Sequence, residues 1–549
     1  MGKRMKKTIF FGMLGGAFAA FLCASATALA AGDLEKTGKN ETCFYKDLFD
    51  QNVYSEGVNQ IDLGRWWRRL SGKKLASANV NVFDEVPDSA FFTNRQGRQR
   101  LSAQDLEKGY SETSGPDMSQ PLVVTKSEHE GVQPRFYVKD AKGDTYFLKF
   151  DSVGNLELAT GAEIVASRFY YAIGYNVPQY TILRIKADQI RVAEGALSWD
   201  NSGFKKPLNQ KLLQEYLLFL PQTADGFYRA SASKILSGEN KGFFSFESRR
   251  KEDSADPVNH RDRREVRALA VFSGWLNNDD VREGNTVDML VAENGPTFLK
   301  HYLIDFDKSL GSAQNAPKAP MVGYEYAVDF GETFKSILAF GFREKPWQKK
   351  WRAADETASV SPAVGYFSNA FFDPARYKVQ LPYETSRLVT AADGFWAAKI
   401  LMSFADDDIR AAVKAGQYSD PKDSDYIAKT LMERRDIIVR YWLAKASPLD
   451  SFEYGSGKLS FRDLAVEHGC ESATGTSYRA EWIGRDQEGK VLGEVRSSER
   501  AITIPAEWIA GGKDAEIRIR VIRASSKEPK PFVTVRLNAS GVQSIRHAD

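Results

Sequence analysis

Trp275 to Asn285, WLNNDDVREGN, and His301 to Asp307, HYLIDFD, are the two stretches on which the reading of this 549-residue chain turns. The first is a polar loop that follows Asp262 to Leu276, where Val266, Leu269, Ala270 and Ser273 recur at helical spacing. Between the two stretches, Val287 to Val291 and Thr297 to Ile304 flank Glu293-Asn294-Gly295, and an Asn-Gly between such runs signals a hairpin. The second strand of that hairpin delivers Asp305 after the loop that carries Asp280 and Asn285.

Upstream, Pro121 to Lys126 and Arg135 to Lys139 read as strands joined by a loop containing Gly131, and Lys142-Gly143 turns the chain into Thr145 to Phe150. There Tyr146, Leu148 and Phe150 alternate with Phe147 and Lys149, so an antiparallel meander ends beside one lysine. Residues 156–173 carry Leu158, Ala162, Val165 and Phe169 at helical spacing, hold Glu163, and stop at Gly174. Four features therefore stand in a fixed order: Lys149, Glu163, Asp280 with Asn285, and Asp305. Phosphoryl transfer from a nucleotide needs such a set. A lysine holds the donor phosphates, an acid holds that lysine, and two oxygen ligands hold Mg²⁺ at about 2.1 Å. An aspartate orients the acceptor hydroxyl.

Asp280-x-x-x-x-Asn285 has the spacing of a protein-kinase catalytic loop, and IDFD stands in the place of DFG. The chain here resembles the protein-kinase-like superfamily, and within it the HipA-type serine/threonine kinases. GVQPRFYV, Gly131 to Val138, is similar to that family's G-x-Q-x-K segment. GAEIVASRFYYAIGYNVPQYTI, Gly161 to Ile182, resembles its N-E helix running into a G-L-x-V-P strand, and WLNNDDVREGN its W-L-x-x-x-D-x-H-x-K-N loop. The resemblance covers roughly residues 120–440. It implies ATP or another nucleotide bound at Lys149, Gly131 and Gln133, with Glu163 orienting Lys149, Asp280 acting as base, and Asn285 and Asp305 binding Mg²⁺ or Mn²⁺.

The departures are specific. No GxGxxG lies over the phosphates, Asp307 replaces the glycine of DFG, and Glu283 and Gly284 replace the basic and small residues of the loop. A nucleotide-binding but inactive pseudokinase, serving as a cell-envelope binding protein, is therefore an alternative. Asp279 competes with Asp280, which alone keeps the spacing to Asn285. His260-Arg261-Asp262 spells HRD, but Arg267 lies five residues beyond Asp262 and no hairpin follows, so Asp262 is expected to cap a helix. A glycan-active hydrolase, the third reading, requires paired carboxylates across a cleft.

Composition bounds the rest. A hydrophobic share of 42% with 27% charged residues is that of a globular protein, and a mean hydropathy of -0.41 excludes a polytopic membrane protein. Lys3, Arg4, Lys6 and Lys7 precede an apolar run and Ala28-Leu29-Ala30, which predicts a signal peptide over residues 1–30, cleaved near Ala30, and export to a periplasm or the exterior. The rival reading is a retained anchor, because no charge intervenes between Lys7 and Asp33. The formal charge of +3 includes those four cations and no acid, so the chain beyond Ala30 carries −1 and has no global field for nucleic acid. An envelope holds little ATP, so the donor is then another nucleotide or a phosphorylated envelope molecule, or transfer precedes export.

Beyond Ala30 only Cys43 and Cys470 remain, either bridged or as two free thiols, and five scattered histidines lack zinc-site spacing. Residues 31–118 form a mixed extension whose WWRR, Trp66 to Arg69, reads as packing onto the main domain. The expected fold is α+β: a two-lobed protein-kinase-like domain over 119–450, with a β-rich first lobe holding one helix to about 240 and a helical second lobe from about 241. Runs such as AEIRIRVI and FVTVRL predict a carboxy-terminal β-sandwich over 465–549, suited to docking an envelope partner. The hydroxyl acceptor, whether protein, glycan or lipid, leaves no mark in the sequence.

Overall fold

The computed structural model describes residues 38–40, 49, 75–129, 133–200, 204–293, 297–345, 347–348, 361–483, 490–509, 514–524 and 531–548. The expected signal peptide, Cys43, the WWRR segment, Gly131 and the Asn294-Gly295 turn lie outside the described residues. Among the described residues, Cys470 forms no disulfide and no helix is long and apolar enough to cross a membrane.

Strand alternation builds the first lobe. β1 (Leu122–His129), β2 (Arg135–Lys139) and β3 (Thr145–Phe150) form the expected antiparallel meander. With β4 (Tyr180–Ile185), β5 (Ile190–Asp200), β6 (Lys205–Pro207) and β7 (Tyr228–Lys234) they make a seven-stranded sheet ordered β4-β7-β3-β2-β1-β5-β6, antiparallel except where β1 meets β5. Because successive side chains point to opposite faces, β3 sends Tyr146, Leu148 and Phe150 into the core of this lobe and Lys149 to the other face. The lobe has a second helix, Gln210–Leu217, where one was expected; Leu213, Tyr216 and Leu217 pack it onto the same core as Leu122 and Val124. Two turns of helix carry too little periodicity to stand out in the sequence.

The helix Leu158–Ile173 lies between the lobes and is buried on every side except at Tyr171. Its capping acid comes from outside the helix: the Asp151 carboxylate accepts the backbone N–H groups of Glu157, Ala159 and Thr160, each at 2.9 Å. Gly161 is required because a Cβ there would stand 2.6 Å from the Tyr418 ring. Gly174, at φ 143, ends the helix beneath Phe92.

The second lobe begins with a helix over Arg264–Leu276 and a three-stranded sheet ordered β10-β9-β8, in which the short β8 (Glu239–Asn240) flanks the hairpin β9 (Thr286–Ala292) with β10 (Thr297–Leu303), in register from Thr286 opposite Leu303. Helices Phe330–Leu338, Ala391–Met402, Asp406–Lys414 and Pro421–Lys445 follow. The expected cap is corrected here: Arg263 is the N-cap of Arg264–Leu276, without a side-chain cap, and the Asp262 carboxylate turns instead to Arg267 at 3.2 Å. The described part of the extension is built into this lobe, since Val86, Phe91, Phe92 and Leu106 share a core with Phe169 and Phe272.

The carboxy-terminal sandwich starts at Leu449, not near 465. Leu459 and Phe461, alternating with polar neighbours, face the same core as Ile517, Ile519, Val533 and Val535, so the hairpin β11 (Leu449–Gly455) and β12 (Lys458–Asp463) belongs to it. With β15 (Ala501–Thr503) they form a three-stranded sheet. The facing sheet is ordered β14-β13-β16-β17-β18, from β13 (Thr476–Ile483), β14 (Val491–Ser497), β16 (Ala515–Arg523), β17 (Phe532–Asn538) and β18 (Gly541–His547).

One buried charge joins sandwich, extension and second lobe. The Asp84 carboxylate accepts the His547 backbone N–H at 3.1 Å, faces His547 Nδ1 at 2.9 Å, and pairs with Arg264 at 2.8 Å. Burial opposes the Asp84 charge, but the hydrogen bonds from His547 and the Arg264 guanidinium outweigh it and hold the carboxyl below its ordinary 3.8. A depressed folded-state pKa stabilises fully above the unfolded value and is lost as pH falls below it. Asp84→Asn should therefore cost about 3 kcal/mol near neutral pH and flatten the loss of stability below the ordinary 3.8. Denaturant unfolding of both proteins across the acid range checks this.

Candidate functional site

Lys149 projects from β3 toward Leu158–Ile173, and its cross-strand neighbour on β7 is Ser231. The ammonium meets three carboxylates: Glu163 at 2.6 Å, Asp305 at 2.7 Å and Asp307 at 3.2 Å. The second Glu163 oxygen accepts the Ser231 hydroxyl, so adjacent strands grip both ends of one carboxylate. Burial alone would lower the Lys149 pKa, but Asp305, Asp307 and Glu163 together drive it well above its ordinary value.

Asp305 arrives from the end of β10 with φ 63, a left-handed backbone that a non-glycine residue holds only when its surroundings enforce it. Its N–H donates to the Tyr180 hydroxyl at 3.2 Å, and the preceding Ile304 N–H donates to the Asn285 carbonyl at 3.0 Å. Burial raises the carboxyl pKa of Asp305, but Lys149 overcomes it and holds the group below the usual range. Asp307 moves the other way, pushed up to about 7 by burial and by the neighbouring Asp305 charge. That is carboxylate crowding, which a divalent cation relieves.

The loop after Arg264–Leu276 is pinned at its start. Asn277 adopts the left-handed conformation that ends the helix and donates to the Leu310 carbonyl at 2.6 Å, while Asn278 donates to the Tyr170 hydroxyl at 3.1 Å. The two aspartates that follow then part company. Asp279 pairs with the fully buried Lys318, which also donates to the Asn277 carbonyl. Asp280 is joined by Asn285, whose amide donates to its carbonyl at 2.8 Å and to Oδ2 at 3.1 Å, and by Lys308 at 3.1 Å. Its Oδ1 lies 3.4 Å from Arg282 Nε and accepts no hydrogen bond among the described residues. Burial would lower the Lys308 pKa, but Asp280 raises it.

The structure thus brings Lys149, Glu163 and Asp305 into direct contact, and sets Asn285, which holds Asp280, against the backbone that leads into Asp305. Gln133 is buried in a narrow recess of about 10 Å³ lined also by Arg135, Lys149, Glu163, Asp307 and Gln314. Its amide nitrogen has no hydrogen-bond partner among the described residues. Sequence reasoning assigned no role to Ser231, Tyr180, Asp307 or Lys308. Asp307 follows directly on Asp305-Phe306 and stands out as a departure from DFG; nothing in the sequence marks Lys308, and nothing marks Ser231 or Tyr180 until strand register is known.

Asn285, Asp305 and Asp307 offer hard oxygens of the kind that suit Mg²⁺ or Mn²⁺. Among the described residues no three His, Cys, Asp or Glu side chains form a ready metal cluster, and a cation held by one or two carboxylates fills the rest of its shell with water or phosphate oxygens.

No family model matches the chain, and no curated protein matches it. Solved structures with similarity include the Helicobacter pylori proinflammatory kinase CtkA, at 12% identity and TM-score 0.27 over 57% of this chain and 93% of that one. The Golgi casein kinase aligns at 9% identity and TM-score 0.30 over 74% of this chain and 94% of that one. A second Golgi casein kinase structure, with Mn/ADP bound, aligns at 10% identity and TM-score 0.29 over 73% and 93%.

The geometry separates the adjacent aspartates by experiment. Asp279→Ala leaves Lys318 buried without its carboxylate and should lower unfolding free energy by about 3 kcal/mol. Asp280→Asn, which keeps the side-chain shape, should cost about 1 kcal/mol. Thermal and denaturant unfolding of the two variants measures the contrast.

Proposed function

We propose that this chain is a kinase-like phosphotransferase that moves a phosphoryl group from a nucleotide to a hydroxyl acceptor. The observation that carries the reading is the buried ion-pair cluster of Lys149 with Glu163 and Asp305, which links strand, helix and post-hairpin acid across 14 and 156 residues of sequence. Such a cluster suits the positioning and charge stabilisation that phosphoryl transfer demands. The finer assignment, a HipA-type enzyme, rests on the three sequence motifs around Gly131, Glu163 and Asp280.

Each residue then has a task. Lys149, released from Asp305 and Asp307, binds the donor phosphates, and Glu163, itself held by Ser231, keeps the ammonium in place. Gln133 offers its free amide N–H in the same recess. Asp280 accepts the proton of the acceptor hydroxyl at Oδ1, while Lys308 balances the charge at Oδ2. A divalent cation held by Asn285 and Asp305, with Asp307 beside them, would neutralise phosphate charge. We extend the proposal to export after processing near Ala30 and to an envelope partner for the sandwich.

One observation favours a second reading, a binding-only fold. Asp305 and Asp307 occupy the Lys149 ammonium, and the recess beside it, about 10 Å³, is barely large enough for one water molecule and far below an ordinary ligand pocket of about 300–1,000 Å³. A donor must therefore displace both carboxylates.

Transfer of labelled phosphate by the purified chain, with Mg²⁺ or Mn²⁺, separates the readings. Asp280→Ala should lower transfer by about 10² to 10⁴ while leaving nucleotide-induced thermal stabilisation in place. Asp305→Ala should abolish both. A wild-type protein that is stabilised by nucleotide yet transfers nothing supports the binding-only fold, and one that neither binds nor transfers overturns the proposal.

A further inference from the structure

The helix Phe330–Leu338 is amphipathic the wrong way round. Phe330, Phe334, Ile337 and Leu338 recur at i, i+4, i+7 and i+8, the stripe that a globular protein turns inward. Here all four are exposed and the helix buries no residue, while Glu332, Ser336 and Ala339 are the half-covered positions. The chain then continues the apolar surface through Phe340 and Phe342, which are 88% and 93% exposed. Single exposed apolar residues are ordinary, but a contiguous set of six, four of them phenylalanine, marks an interaction surface.

The stem beneath this surface is fixed. Asp329 caps the helix, accepting the Glu332 N–H at 3.0 Å, and pairs with Lys378 at 2.6 Å. Ala327 N–H donates to the Gln380 carbonyl at 2.7 Å, and Gln380 N–H donates to the Asp279 carbonyl at 2.6 Å. The patch is thus attached through two backbone hydrogen bonds to the residue preceding Asp280.

Shape and charge select the occupant. The near-complete exposure of Phe340 and Phe342 makes the surface a ridge rather than a groove, which suits insertion into a soft medium. Residues 343–352, REKPWQKKWR, follow at once with five cations, one acid and two tryptophans. Of the cations, Arg343 pairs with Glu332 at 2.7 Å and Lys345 with Glu325 at 2.5 Å; the other three lie outside the described residues, and their charge is read from the sequence. An apolar aromatic ridge followed by a cationic, tryptophan-bearing segment is the composition of an interfacial membrane element, with apolar side chains at the acyl boundary and cations at anionic headgroups. We propose that residues 330–342 dock this protein on an anionic lipid surface. The inference stands apart from the phosphotransfer reading, because it uses none of the residues at Lys149 or Asp280.

Amide hydrogen exchange of the full chain tests it locally, so that binding by any other segment does not confuse the result. Vesicles of equimolar phosphatidylcholine and phosphatidylglycerol should protect peptides covering 330–342, and phosphatidylcholine alone should protect them less. The variant F334S/F340S/F342S should keep a melting temperature close to the wild type, since all three side chains are largely exposed. It should lose the protection, with partitioning through this face weakened at least about a hundredfold. No protection of 330–342, or equal protection on uncharged vesicles, overturns the proposal. Protection without lipid, rising with protein concentration alongside a dimer in light scattering that the variant lacks, overturns it in favour of a second copy of the chain.

Discussion

A lysine ammonium out of water is the constraint around which the two lobes are arranged. Unpaired, it would have to surrender its proton or unfold its surroundings. It is tolerated because carboxylates reach it from the buried helix and from the residues that follow the second-lobe hairpin. The requirement propagates outward. A slip of one residue in β3 would turn Lys149 into the core in place of Leu148 and Phe150 and bring one of those apolar side chains to Glu163. The helix that carries Glu163 must approach closely, which explains both the Asp151 cap built from a neighbouring loop and the glycine facing Tyr418.

The same cluster carries more acid than one lysine can balance. Asp305 keeps its charge through the shorter contact with Lys149, and Asp307, farther away and buried, yields. Like charges in a dry site cannot all persist, so one is displaced toward its neutral form. Crowding of this kind is costly in a purely structural ion pair, where one carboxylate would suffice.

Legibility in the sequence followed the strength of the local pattern. Thr145–Phe150 and the helix up to Ile173 were readable because strict alternation, a stop glycine and an apolar stripe agree with one another. Lys149, Glu163, Asp280, Asn285 and Asp305 could be selected because their order along the chain matched a pattern of required charges. Position in space was not readable. Ser231 touches Glu163 only through the pairing of β7 with β3, and Tyr180 meets Asp305 only because β4 lies at the end of that sheet. The sandwich boundary at Leu449 was hidden because a long helix ends four residues earlier, at Lys445, and the change of period falls within that short link. The helix Phe330–Leu338 has the stripe of a core element, and periodicity alone cannot tell which side of it meets water.

Asp279 and Asp280 show how one residue type, used twice in succession, is assigned two kinds of work by its surroundings. Adjacent side chains after a helix end must diverge. Asp279 turns inward to Lys318, whose remaining hydrogens go to the carbonyls of Asn277 and Lys308, so that lysine is saturated and its partner has no freedom. Asp280 turns to the space between Asn285 and Lys308, where one oxygen is held and the other, 3.4 Å from Arg282 Nε, accepts no hydrogen bond among the described residues. A carboxylate with a fixed orientation and one oxygen free of hydrogen bonds is what proton acceptance needs, and a carboxylate consumed by a buried lysine cannot provide it. The Asp279 pair in turn anchors Gln380 through its backbone, so the structural aspartate holds the loop still while its neighbour keeps an oxygen in reserve.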